Sequence, residues 1–175
     1  MSAPAQTGLI VPVPQSEPVV GRHRAALDPS AAWGIPAHVT VLYPFLPPGQ
    51  VDDEVLAALR SLFAALPRFE TALSRVDWFG SEVLWLAPEP EEPFRRLTQA
   101  VLDRFPSAPP YAGAFDDVVP HLTVGDRAPL PELRAAAAGI APHLPIRSAV
   151  GTVRLVEGTT GEVAWRTVAE FPLGA

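Results

Sequence analysis

The chain contains no cysteine and no lysine. Without cysteine it can have no disulfide framework, thiolate metal site or cysteine nucleophile. Without lysine there is no Schiff base and no covalent lysyl-nucleotide intermediate, which excludes a ligase that charges itself with ATP on lysine. Positive charge is scarce as well: 13 basic residues, all arginine, stand against 19 acidic ones, giving a net charge of −6. The densest basic clusters are Arg22-His23-Arg24 and Arg95-Arg96. Duplex binding draws on clustered positive charge, so duplex DNA is not an expected partner. No apolar run reaches the length of a membrane helix, so no membrane partner is expected either. The segment Met1–Thr7 lacks the basic region of a signal peptide, and the expected location is cytoplasmic. P-loop, G-x-G-x-x-G, H-E-x-x-H and G-x-S-x-G motifs are all missing.

Proline is plentiful, with 22 residues beside 12 glycines in a 175-residue chain that is 48% hydrophobic. Such a composition describes a folded protein with proline-punctuated loops. The length suits one domain, or two small lobes sharing a core.

Two tetrapeptides carry the chemistry: His38-Val39-Thr40-Val41 and His121-Leu122-Thr123-Val124. Side chains alternate along a strand, so each segment offers an imidazole and a hydroxyl on one face and apolar residues on the other. With nine threonines and four histidines, chance supplies about 0.2 His-x-Thr pairs; two occur.

The pattern around the tetrapeptides repeats. Gly8–Val13 reads as a first strand, with Pro12 marking an edge or an early end, and Glu17–Leu27 as a helix. After His38–Tyr43 come a helix from Asp52-Asp53 to Leu66 and a hairpin of Phe69–Phe79 with Val83–Ala87. Glu91-Glu92-Pro93 opens a helix whose carboxylates are read as caps. The loop Pro106–Pro120 leads into a strand His121–Gly125. A helix Pro131–Ala138 follows, then strands near Ile146–Glu157 and Glu162–Pro172 joined by the turn Gly158-Thr159-Thr160-Gly161. The series strand, helix, hairpin thus occurs twice, and Val83-Leu84-Trp85 is echoed by Val163-Ala164-Trp165. The expected fold is α+β: a single bilobal domain over residues 1–175, with two pseudo-symmetric lobes of mostly antiparallel sheet and outer helices around a central cleft. The lobe repeats span about 36–90 and 119–172, and the strand and helix of 8–28 precede them.

On these residues the chain resembles the two-histidine (2H) phosphoesterase superfamily, which includes the 2′-5′ RNA ligases and cyclic phosphodiesterases. The flanks Pro36-Ala37 and Tyr43-Pro44-Phe45 share the likeness, which extends from about Gly8 to Phe171. The resemblance implies a concave site with neither metal nor cofactor, in which His38, Thr40, His121 and Thr123 are catalytic. It implies a small nucleotide cyclic phosphate or an RNA terminus as partner, bound by a monomer. One histidine would act as base and the other as acid in an in-line displacement at phosphorus, and the threonines would donate to its non-bridging oxygens. Hydrolysis of a 2′,3′-cyclic phosphate or 2′-5′ linkage, ATP-independent 2′-5′ ligation, and nucleotide binding without turnover all fit this arrangement.

Two further residues are candidates for substrate contact. Arg127 shares a face with His121 and Thr123 if the strand continues, and Gly125 then leaves a ligand room to approach; the other reading is a solvated arginine past the strand end. Alternation sets Tyr43 on the face opposite His38, at the core or the rim. Asp116-Asp117 lies in the loop before His121 and reads first as a solvated loop pair, the other reading being contact with substrate or orientation of an imidazole. His23 and His143 read as surface residues, and Trp85 and Trp165 as core.

Overall fold

A computed structural model describes residues 3–108, 118–162 and 164–175. Asp116-Asp117, most of the loop before Pro120 and Val163 of the Val163-Ala164-Trp165 echo lie outside the described residues.

Among the described residues eight strands form one curled antiparallel sheet: β1 (Gln6–Pro12), β2 (His38–Leu42), β3 (Phe69–Phe79), β4 (Val83–Glu89), β5 (Leu122–Asp126), β6 (Ile146–Val150), β7 (Thr152–Gly158) and β8 (Arg166–Pro172). Their order is β6-β3-β4-β5-β2-β1-β7-β8. The helices are α1 (Glu17–Leu27), α2 (Pro29–Ala32), α3 (Asp53–Ala64), α4 (Glu92–Arg104) and α5 (Leu130–Ile140).

Proline near the first turn starts α1, α2, α4 and α5, where its fixed φ suits the helix and its missing N–H is not needed. Asp52 caps α3 by accepting from the Val55 backbone N–H at 2.9 Å. The Glu91 side chain makes no cap bond. Glu91 and Glu92 instead pair with Arg95 and Arg96 one turn on. The helices bury Val20 and Leu27 (α1), Leu59 and Phe63 (α3), Phe94 and Val101 (α4) and Leu133 and Ile140 (α5) against one face of the sheet. The other, concave face carries the His-x-Thr side chains together with a smaller apolar cluster of Ile10, Val156 and Trp165.

The two halves of the sheet exchange strands. The β3-β4 hairpin follows β2 in sequence but pairs with β5, while β2 pairs with β1, whose other edge takes β7. The helices cross in the same sense, α1 packing on β5 and α4 on β2. Pro12 does end β1, but in the interior of the sheet, not at its edge.

Ile146–Glu157, expected as one strand, divides at Gly151 into β6 at one edge of the sheet and β7 beside β1. The buried-exposed alternation of Ile146–Val150 loses phase at Gly151-Thr152, where the chain crosses to the other half. The last strand begins only at Arg166. Ala164 stands at φ 87° and Trp165 packs as a loop residue, so this end of the expected echo of Val83-Leu84-Trp85 is not strand.

Candidate active site

The central strands β2 and β5 pair antiparallel with Val39 opposite Leu122. Continued one residue either way, this register sets His38 across from Thr123 and Thr40 across from His121, all on the concave face. The four side chains form a quadrilateral with the histidines at opposite corners. Diagonal neighbours in such a pair lie about 7–8 Å apart, leaving room for a tetrahedral group between the rings. All four residues are half-buried, and Val39, Val41, Leu122 and Val124 between them are fully buried on the helix side.

Both imidazoles are fixed alike. His38 Nδ1 lies 2.8 Å from the Pro36 carbonyl oxygen and His121 Nδ1 lies 2.7 Å from that of Val119. A carbonyl only accepts, so in each ring Nδ1 carries the proton and donates it. The neutral ring then keeps its lone pair on Nε2. Burial pushes the His38 pKa down to about 4, and the neighbouring Arg24 and His121 act in the same direction. Burial lowers His121 as well. At neutral pH the free protein therefore holds two neutral imidazoles.

The carbonyl one residue before each of these takes an arginine. Arg24 of α1, 3% exposed, donates from Nη2 to the Ile35 oxygen at 3.1 Å and pairs with Asp28. Arg95 of α4 donates from Nη1 to the Val118 oxygen at 3.2 Å and pairs with Glu91. Ile35 and Val118 each stand three residues before a motif histidine. Glu17 adds a third anchor by accepting from the Ala37 N–H at 2.8 Å. Both basic clusters of the sequence thus turn an arginine inward to hold the approach to a motif. Their spacing before the histidines carried no such signal, because the contact is made between distant elements.

A family model, the 2′-5′ RNA ligase superfamily, matches residues 11–162. The chain belongs to this superfamily. Solved structures agree at the level of fold. Escherichia coli LigT crystallised with 3′-AMP is 17% identical at a TM-score of 0.62, over 98% of this chain and 99% of LigT. LigT with NADP+ is 19% identical at 0.61, over 99% and 100%. TT0787 of Thermus thermophilus is 19% identical at 0.65, over 96% and 97%. No curated protein matches the chain significantly in sequence.

In this 2′-5′ RNA ligase superfamily member a β-bulge follows each threonine, at equivalent positions. Leu9 and Ile10 of β1 face Leu42 and Thr40, skipping Val41, and Leu84 and Trp85 of β4 face Gly125 and Thr123, skipping Val124. Each bulge adds one residue to its strand and reverses the alternation beyond it. Tyr43 consequently returns to the concave face, where its ring meets Gly8 and Trp165 and its hydroxyl donates to Gln6 Oε1. The expectation that Tyr43 lies opposite His38 fails for this reason.

Gly125 turns the other way. A Cβ there would stand 2.4 Å from Leu133 Cδ2 and 3.1 Å from Leu27 Cβ, so the glycine admits two helices and makes no room for a ligand. Strand β5 ends at Asp126. Arg127 follows at φ 57°, 82% exposed, 3.6 Å from Asp126, so it does not continue the face of His121 and Thr123. Asp126 occupies the place equivalent to Tyr43, 83 residues on, and burial raises its pKa. His143 is exposed, whereas His23 is half-buried against Gly139 of α5.

Aromatic rings border the quadrilateral on both halves. On the β2 side Trp165 lies between Trp33 and Tyr43, over Ile10 and Val156. On the β5 side Phe79 stacks on Trp85 and both meet His121 edge-on. Among the described residues no group of three or more His, Asp and Glu side chains is arranged to hold a metal ion.

Proposed function

We propose that the protein is a phosphodiesterase that hydrolyses a 2′,3′-cyclic phosphate or a 2′-5′ linkage of a nucleotide or RNA end by acid-base catalysis between His38 and His121. The observation that carries the reading is the antiparallel pairing of Val39 with Leu122, which leaves two imidazoles diagonal to each other across one open space. An in-line displacement needs a base on the attacking oxygen and an acid on the opposite, leaving oxygen. Diagonal Nε2 atoms meet that demand from two sides, and Thr40 and Thr123, at the remaining corners, donate to the non-bridging oxygens as negative charge builds. In one turn of the reaction the base removes a proton from water, the water oxygen forms a new bond to phosphorus as the opposite P–O bond breaks, and the acid protonates the leaving oxygen. With an RNA 5′-hydroxyl in place of water, the same displacement on a 2′,3′-cyclic phosphate forms a 2′-5′ linkage and frees the 3′-hydroxyl, which is ligation without ATP by the same residues.

The acid must arrive protonated, yet burial keeps both rings neutral in the free protein. A bound phosphodiester supplies a negative charge beside them and raises their proton affinity, so the site takes up its working proton together with the substrate.

Turnover of 2′,3′-cyclic mononucleotides and of 2′-5′-linked dinucleotides, measured in EDTA, tests the proposal. His38→Ala and His121→Ala should each reduce kcat at least hundredfold. Full turnover in either variant refutes it. Binding without product in the wild type would favour a nucleotide-binding module instead.

A further inference from the structure

The two aromatic groups are not equivalent. In the β2 half Trp33, Trp165 and Tyr43 pack on one another, and Trp165 is buried over Gly158, which has no side chain to obstruct it. In the β5 half Phe79 is 38% exposed, and it is the single exposed large hydrophobic side chain among the described residues. Its ring lies on Trp85 with centroids 4.7 Å apart and planes 29° apart, and it meets His121 edge-on at 5.0 Å. Trp85 beneath it is 4% exposed, so the pair has one open face, that of Phe79.

The backbone fixes this ring in place. Phe79 is the last residue of β3, at a hairpin tip that turns on Gly80 at φ 57°. The tip is tied to the end of β5 by the Arg127 N–H, which donates to the Glu82 carbonyl at 2.8 Å. The same corner thereby carries an exposed guanidinium. A lone exposed phenyl ring is far smaller than a protein interface. It does match one nucleobase, whose π-face stacks on a single aromatic ring irrespective of sequence.

We infer that Phe79 is the stacking platform for a second nucleobase, so that the substrate carries a nucleoside on both sides of the phosphorus. The inference rests on the two-histidine reading. One nucleoside lies along the β2 half toward Tyr43, the other along the β5 half on Phe79, with the phosphodiester between His38 and His121. A cyclic mononucleotide fills only one of these places. The favoured substrate class is therefore an internucleotide linkage, with the cyclic phosphate as a minimal substrate of the same site.

The test compares kcat/KM for 2′-5′-linked ApA with that for 2′,3′-cyclic AMP in the wild type, Phe79→Ala and Phe79→Tyr, each checked for folding by thermal melting. Phe79→Ala should lower the dinucleotide-to-cyclic ratio by about tenfold, and Phe79→Tyr should restore it. An unchanged ratio overturns the inference. So does an equal loss on both substrates, which would make Phe79 a brace for His121 alone. If the wild type turns over neither substrate, the two-histidine reading fails and calorimetric titration with 2′-5′-linked ApA decides the platform. Binding about tenfold weaker in Phe79→Ala upholds it, and equal binding overturns it.

Discussion

At the scale of single residues, two kinds of group hold the imidazoles: carbonyls that fix the tautomer and arginines that fix the carbonyls' own segments. His38 and His121 each donate from Nδ1 to the carbonyl two residues before, and Arg24 and Arg95 each donate to the carbonyl three residues before. Arg95 is a positioning residue in this scheme. Arg95→Met should reduce kcat tenfold to hundredfold with KM little changed, because displacing a reacting group by an ångström costs rate more than binding. Arg95→Lys should recover part of the loss, and a loss confined to KM contradicts the role. Burial of the rings also links folding to pH. His38 falls from 6.5 to about 4 on folding, and His121 moves the same way. Between those two values the unfolded chain binds a proton that the folded one does not. Stability is therefore full above pH 6.5 and is lost as pH falls toward 4, by up to about 3 kcal/mol from His38. Urea denaturation at pH 7.5 and 4.5 checks this: His38→Gln should lose less stability than the wild type over that interval, and equal losses would exclude the linkage.

At the scale of elements, the paired bulges decide which residues face the site. Val41 and Val124 are the extra residues, 83 positions apart, and beyond each the alternation reverses. Gly125→Ala tests the reversal, because its Cβ would meet Leu133 2.4 Å away on the helix side. The variant should lose about 1–3 kcal/mol in denaturant unfolding, and Leu133→Ala should offset part of that loss in the double variant. Additive losses would mean that Gly125 faces elsewhere. The same bulges mark where sequence reading ran out. The helices announced themselves through Asp52, Pro93 and the spacing of Leu59, Leu62, Phe63 and Leu66, which are local signals. The His-x-Thr segments were legible because period two is local as well. A bulge is a property of two paired strands, and nothing in Val39–Tyr43 alone records that Leu9 skips Val41. Strict alternation therefore puts Tyr43 and Gly125 on the wrong faces, and it carries Arg127 on a strand that ends one residue earlier. The arginine anchors leave no local signal for a related reason, since Arg24 and Arg95 act on segments 11 and 23 residues away.

At the scale of the whole molecule, the pseudo-symmetry visible in the order of elements is not a division into independent units. The hairpin β3-β4 completes the sheet around β5, and β1 with the β7-β8 hairpin completes it around β2. One buried cluster runs from Val153 and Phe171 on one side through Val39 and Leu122 to Leu73 and Ile146 on the other. Removing either half takes strands and helix cover from the other, so neither half can hold the His38–His121 geometry alone. Unfolding should therefore be a single cooperative transition. Trp85 and Trp165 report on opposite halves, and their packing against Phe79 and Tyr43 makes their emission sensitive to local loss of structure. In variants that keep the indole at position 85 or at position 165 with the other three tryptophans replaced by phenylalanine, the two fluorescence transitions should coincide with each other and with far-ultraviolet circular dichroism. Transitions separated in denaturant would show halves that melt independently. The two histidines would then be joined only by the short β2–β5 seam, and catalysis would be lost at the first of the two midpoints. Coincident transitions tie the distance between the two histidines to the stability of the entire sheet, so that substitutions remote from the cleft, such as those in the β7-β8 hairpin, weaken turnover only as far as they unfold the protein.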